Sequence, residues 1–180
     1  MDFLDFNEDK LYFDEPVSAE VRKLLEQASK DGTSDAAEAS LMRAYFLEPE
    51  HLIVLVALYR YLYYKHRYDE ALMVADRALL ASAKQLGLSR GWDEMTVMEL
   101  GYGVLVSMGL TRFYLHALKA SGFMYMRLGD MVSALERLNK IAELDPADQF
   151  ASSHLIEIAN KFQSERKSAR ESESRTLKQA

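Results

Sequence analysis

The chain has 180 residues, is 49% hydrophobic and contains no cysteine, which predicts one compact domain and excludes a disulfide framework or a thiolate site. Its formal net charge of −6 lacks the concentrated basic surface that nucleic-acid binding requires. It shows no secretory-signal pattern and no apolar run long enough to cross a membrane, so a soluble, cytoplasmic protein without membrane contacts is expected.

The first predicted element is an N-terminal arm, residues 1–17, in which aromatic residues alternate with acids. Residues 1–15 hold six carboxylates against Lys10, a net charge of −5. A merely solvated tail has no reason to carry so many rings, so we expect residues 1–15 to dock on the concave or flanking surface of the same or a neighbouring chain, where their charge meets a cationic rim. The alternative interpretation is an ordinary first helix packed beside residues 18–30.

A helical domain is predicted over residues 18–163. The chain has three prolines, at positions 16, 49 and 146, and each stands where a helix would begin or end. Apolar residues recur at helical spacing between them, and the segment 49–66 is apolar nearly all round, as expected of a buried central helix. The helices expected in the first half of the domain are 18–30, 34–47, 49–66 and 69–85.

Residues 86–114 read as an insertion in this domain. They contain five of the eight glycines and the single tryptophan, Trp92, yet too many apolar residues to be left in water. We expect a short helix or two packed on the domain. Further on, apolar residues at helical spacing in 149–162 predict a terminal capping helix. They nearly vanish afterwards, which predicts a disordered tail or a frayed extension of the capping helix over 164–180.

Small and apolar residues recur at matching positions in three segments. They are Ala37, Leu41, Ala44 and Pro49, then Ala71, Ala75, Ala78 and Ala83, then Ala134, Leu138, Ile141 and Pro146. The first step is 34 residues, and the second is one such period plus the 29 residues of the insertion. Small side chains let antiparallel helices approach closely, and a period of about 34 is typical of helix-turn-helix solenoids.

With these residues the chain resembles the tetratricopeptide repeat (TPR) family over residues 18–148, apart from the insertion. Gly122 and Tyr125 match the small and aromatic residues of the repeat's first helix, residues 67–72 match its turn, and 144–146 match its exit. The resemblance implies an all-α superhelix of about three helix pairs plus a C-terminal capping helix. It also implies a concave surface, lined by the first helices, that holds a partner polypeptide.

That family geometry would place a cationic rim around aromatic and thioether groups on the concave surface. The candidate partner-binding residues are Arg22, Val56, Arg60, Tyr63, Tyr64, His116, Lys119, Phe123, Met126 and Arg127. Such a surface suits a protein or peptide segment with acidic and apolar side chains. The alternative interpretation is that the tyrosines simply pack between helices. Glu26 and Ala57 replace the two asparagines of members that clamp a C-terminal carboxylate, so that activity is not expected.

No catalytic, phosphate-binding or dinucleotide motif occurs, and the four histidines lack metal-site spacing, so neither catalysis nor a metal or other cofactor is expected. The expected function is a non-catalytic adaptor or chaperone-like module. Residues 11–18 and 43–52 also resemble small repeat proteins found beside bacterial nitrogen-fixation genes. Two alternatives stay open: a self-associating scaffold, for instance a homodimer, and a client binder with the architecture of acidic three-repeat secretion chaperones.

Overall fold

The computed structural model describes the backbone of residues 16–177 and the side chains of residues 16–167. Within that range the chain forms eight helices and no strand, which confirms the predicted all-α fold. The helices are α1 Ala19–Asp31, α2 Asp35–Leu47, α3 Leu52–Tyr64, α4 Tyr68–Gln85, α5 Val97–Val106, α6 Met108–Leu128, α7 Met131–Leu144 and α8 Ser152–Leu177. The predicted N-terminal arm lies outside the described residues, except for Pro16 and Val17.

Short polar side chains mark the helix starts. Hydroxyls of Ser18, Ser34 and Ser107 accept hydrogen bonds from backbone amides in the first turns of α1, α2 and α6, and the Asp130 carboxylate does the same for α7. Each such bond satisfies an amide that the helix itself leaves unpaired. Helix α6 ends at Gly129, whose φ of 80° is a left-handed conformation that favours glycine.

The helices pack as pairs in chain order. Helix α1 packs on α2, α3 on α4, and α6 on α7, while α2, α4 and α7 also contact α3, α6 and α8 respectively. The very short connections within the pairs make their helices antiparallel. This arrangement is a helical repeat of three pairs, closed by α8 at its C-terminal end.

The recurring small residues lie where these helices touch. Ala37, Ala71 and Ala134 are all 0% exposed. A Cβ atom placed on Gly122 of α6 would lie 3.1 Å from Cγ of Leu138 on α7, so these two helices approach too closely for a larger residue. The periodicity in the sequence therefore reflects close helix contacts.

A buried arginine joins the insertion to the repeat. The guanidinium of Arg137 on α7 is 2.7 Å from a carboxylate oxygen of Asp76 on α4, and it donates to the hydroxyl of Ser121 on α6 at 2.8 Å. Its guanidinium carbon also lies over two rings, 4.9 Å from the centroid of Trp92 and 5.0 Å from that of Tyr125. The loop before α5 is thus attached to three helices through one side chain.

Two segments can be compared with their predictions. The insertion, residues 86–114, contains a loop, helix α5 and the start of α6. Helix α8 continues to Leu177 through most of the predicted disordered tail, so residues 164–177 are helical in the structure. Neither glycine nor proline follows Pro146, so the sequence contains no residue that would break this helix.

Candidate partner-binding surface

One side of helix α3 is left uncovered by the described part of the chain. Its residues Ile53, Ala57, Arg60, Tyr63 and Tyr64 are partly or largely exposed, whereas every other residue of the helix is buried. Their spacing of three or four places them on a single stripe. Because α2 and α4 cover the remaining sides, this stripe is the side of the central helix that stays exposed among the described residues.

Four rings from three helices form a cluster at one end of the stripe. The Tyr63 ring centroid is 5.6 Å from those of Tyr64 and Tyr68 and 5.8 Å from that of Phe123. We call Tyr63, Tyr64, Tyr68 and Phe123 the aromatic cluster. Offset and edge-on ring pairs at these distances are stabilising, so the cluster is a preformed apolar surface rather than a set of loose side chains.

Arg127 of α6 adds a cation to this cluster. Its guanidinium carbon lies 4.9 Å from the centroid of the Tyr68 ring, and its Nη2 donates to the Tyr68 hydroxyl at 2.6 Å. The same hydroxyl is 2.7 Å from Nδ1 of His66. The hydrogen bond to Tyr68 raises the pKa of Arg127, which keeps the guanidinium charged. The exposed edge of the aromatic cluster is therefore cationic.

The first half of α6 is more buried than the sequence suggests. Its His116 ring packs edge-on against Phe150, with 4.9 Å between centroids, and Lys119 donates its ammonium hydrogen to the Phe150 carbonyl. Burial, and then the neighbouring cations Lys119 and Arg112, lower the pKa of His116 to about 4. Burial likewise lowers the pKa of Lys119. These two residues attach α6 to the turn before α8.

That turn is organised by two aspartates. The carboxylate of Asp145 accepts from the backbone amide of Phe150 at 2.9 Å, and Asp148 accepts from the amide of Ser152 at 2.7 Å. Asp148 and Ala151 both have a φ of 49°, a left-handed conformation uncommon outside glycine. The turn consequently directs Phe150 toward α6.

The structure brings most of the predicted residues together. Tyr63, Tyr64, Phe123 and Arg127 belong to or border the aromatic cluster, and Arg60 lies on the same stripe of α3. His116 and Lys119 share a face of α6 with them, since 116, 119, 123 and 127 have helical spacing. Met126 is partly buried and packs against the core.

Two predicted residues lie elsewhere. Val56 is only 3% exposed within the core, so its prediction as a partner-binding residue is corrected: the neighbouring Ala57 occupies the exposed stripe. Arg22 is exposed on α1 and lines an open depression with Leu25 and Ile53. Because Ile53 begins the α3 stripe, this depression extends the stripe away from the aromatic cluster.

Sequence reasoning did not place Tyr68 or Phe150 at this surface. Tyr68 is the first residue of α4, on the second helix of its pair, and only the short turn from α3 brings it beside Tyr63. Phe150 lies in the irregular turn before α8. Helical periodicity does not predict where residues in or beside a turn are placed. The sequence pattern therefore did not indicate that either residue lies at this surface.

Residues 16–167 contain no group of three or more histidine, aspartate or glutamate side chains that could hold a metal ion. In the same part of the chain, no helix combines the length and apolarity needed to cross a bilayer.

This chain is similar to a protein from a nitrogen-fixation gene region of Azotobacter. That protein comes from Azotobacter chroococcum mcd 1 and is described as "Uncharacterized 19.8 kDa protein in nifW 5'region"; it is 37% identical over 158 residues, which cover 88% of each chain. No family model matches the chain, and no solved structure matches it. The likeness to tetratricopeptide repeats thus rests on residue spacing and helix packing.

Proposed function

The chain belongs to the family of the Azotobacter protein from the nifW 5' region, and we propose that it is a bacterial, non-catalytic adaptor that holds a partner polypeptide. The observation that carries the proposal is the aromatic cluster, which joins α3, α4 and α6 and remains accessible at Tyr64, 45% exposed. In this proposal the uncovered stripe of α3 and the facing side of α6 form a TPR-like concave surface.

The chemistry of this surface favours a particular kind of partner. Tyrosine rings contribute large contact area at low entropic cost, and Arg127 beside Tyr68 adds a cation at the edge of that area. Arg60 lies on the stripe, and Arg22 lies at its far end. A segment that alternates apolar or aromatic residues with carboxylates would match both the rings and the charges.

The physiological setting is proposed from the relative. Its printed description places it in the 5' region of nifW, and we extend that setting to this chain as a role linked to nitrogen fixation in the bacterial cytoplasm. Under this proposal the partner is a protein present when nitrogen is being fixed. A role as a chaperone for a client protein would use the same surface and differs only in the partner's fate.

The proposal is tested by affinity capture from nitrogen-fixing cells with the tagged full-length protein, followed by mass spectrometry. The informative variant is the double charge reversal Arg60→Glu, Arg127→Glu, which should remove the captured partner while the far-UV circular dichroism spectrum stays helical. Arg77→Glu is the matched control, because Arg77 is exposed on α4 beside Tyr45 of α2, outside the α3 stripe. Capture of the same partner by the double variant would refute the proposed surface.

A further inference from the structure

Helix α5 is apolar on all sides, but the rest of the described chain covers only one of them. Leu100 and Gly103 are buried against the domain. The outward residues, from Val97 to Met108 just beyond the helix, are exposed by the following fractions: Val97 56%, Met98 70%, Tyr102 61%, Val104 39%, Leu105 82%, Val106 63% and Met108 63%. We call these seven residues the α5 face. A helix that is apolar nearly all round is normally buried on all sides, so this face lacks a cover among the described residues.

The size of the α5 face approaches that of a protein interface. Scaled by ordinary side-chain areas, these exposed fractions amount to on the order of 600 Å², which is most of the roughly 800 Å² that each partner contributes to a standard interface. The largest apolar patch on a typical monomer covers roughly 300 to 600 Å². The face therefore lies at the upper end of what a monomeric protein leaves in water.

The helix is held firmly in position. Thr96 and Glu99 form a reciprocal capping box at its start, and Glu99 also pairs with Arg90 at 3.1 Å. A Cβ atom on Gly103 would lie 3.1 Å from the Thr111 hydroxyl oxygen, so α5 lies close against α6. The apolar residues outside these contacts are thus presented outward by an anchored helix.

Gly101 leaves room for a close neighbour on the outer side of α5. A Cβ atom at this position would meet nothing within 4 Å, so no contact in the described chain requires glycine there. Glycine within a helix costs about 0.5 to 1 kcal/mol relative to alanine. Its spacing aligns it with Met98 and Leu105 on the α5 face, where a missing side chain lets a second helix approach closely.

The near-absence of charged residues on the α5 face favours a second copy of the chain as the neighbour. Glu99 is the single charged residue between positions 97 and 108, and it is committed to the capping box and to Arg90. A twofold interface places a surface against itself, so like charges would repel, whereas an uncharged face does not. The N-terminal residues 1–15 suit this face poorly, because their net charge of −5 would meet no cation on it.

We propose that the chain forms a homodimer through the α5 face, with two α5 helices crossing at Gly101 across a twofold axis. This surface is separate from the aromatic cluster of the proposed adaptor function. Dimerisation would give each assembly two partner-binding surfaces, and its test does not depend on whether the partner is found.

Sedimentation velocity of the full chain over about a hundredfold range of concentration measures the association. We expect a dimer for the wild type and a monomer with unchanged circular dichroism for Leu105→Glu. Leu80→Glu is the matched control, because Leu80 is 69% exposed on α4, outside the α5 face, and it should remain dimeric. Gly101→Leu should weaken dimerisation at least tenfold without unfolding the chain, since its side chain enters open space.

Disulfide trapping gives an independent readout, because the chain has no native cysteine. Gly101→Cys should form a covalent dimer under mild oxidation, and Leu80→Cys should not. A monomeric wild type, a dimeric Leu105→Glu variant, or loss of the dimer on deleting residues 1–13 would each overturn the proposal. Binding of the monomer to phosphatidylcholine vesicles, lost in Leu105→Glu, would assign the face to a membrane surface instead.

Discussion

Replacing Arg137 tests the network that links the insertion to the repeat. Its side chain is 9% exposed and makes two contacts with the Asp76 carboxylate, at 2.7 and 3.2 Å. Hydrogen bonds to charged groups contribute roughly 1.5 to 3 kcal/mol. The contacts of the Arg137 guanidinium with the rings of Trp92 and Tyr125 add about 0.5 to 2 kcal/mol. Together these contributions predict that Arg137→Ala lowers the free energy of unfolding by about 3 kcal/mol.

The expected loss belongs to an unpaired charge more than to the ion pair itself. Burial raises the pKa of Asp76, and Arg137 offsets only part of that effect. The Asp76 side chain keeps 35% exposure, which places the loss at the lower end of the roughly 3 to 5 kcal/mol measured for fully buried pairs. Replacing both residues by apolar ones, Asp76→Leu with Arg137→Met, should therefore cost much less than the two single changes together.

The double-mutant cycle compares the wild type, Asp76→Leu, Arg137→Met and the variant that carries both changes. Urea denaturation followed by circular dichroism measures the free energy of unfolding of these four proteins and of Arg137→Ala. Arg137→Lys is the conservative control, because it keeps the charge but loses the planar, bidentate contact with the Asp76 carboxylate. It should lower the free energy of unfolding by about 1 to 3 kcal/mol. A loss below about 1 kcal/mol for Arg137→Ala, or additive single changes, would show that the network does not act as described.

Three further predictions concern packing, pH and the N-terminal arm. Ala71→Leu should lower the free energy of unfolding by about 1 to 3 kcal/mol, because Ala71 is 0% exposed in the α3–α4 pair. Ala36→Leu, at an exposed position, is the control, and wild-type stability of Ala71→Leu would contradict the repeat register. His116 has a folded pKa of about 4, below its ordinary 6.5, so stability should fall as the pH drops from about 6.5 to about 4, by roughly 2 to 3 kcal/mol at pH 4.5. In denaturation at pH 7 and 4.5, His116→Gln should reduce this loss and His154→Gln, an exposed control, should not; equal losses would refute the assignment. Deleting residues 1–13 should raise affinity for the partner at little cost in stability, and an unfolded or equally binding truncated protein would exclude an inhibitory arm.

The face of α6 could be predicted from the sequence, whereas that of α3 could not be predicted fully. His116, Lys119, Phe123 and Arg127 recur at helical spacing, and the structure places them on one side of α6. Helix α3 is apolar nearly all round, so its sequence has little amphipathic signal to orient it. One residue corresponds to a rotation of about 100°, which separates buried Val56 from the exposed stripe at Ala57.

The burial of Arg137 and its contacts with other helices could likewise not be predicted from the sequence. Asp76 lies 61 positions away from it, and the Ser121 and Trp92 contacts also come from other elements. No local pattern relates residues at such separations. Arginine is ordinarily exposed, so its burial depends entirely on partners that the fold assembles.

The sequence by itself determined the helices and the small residues between them. Capping side chains such as Ser18 and Ser34, the three prolines and the spacing of apolar residues act over a few neighbouring positions, which is the range of helical hydrogen bonds. Only the tertiary structure decided which sides of those helices stay uncovered. The stripe of α3 and the α5 face are apolar or aromatic like the core, and they differ from it because no other helix of the described chain packs over them.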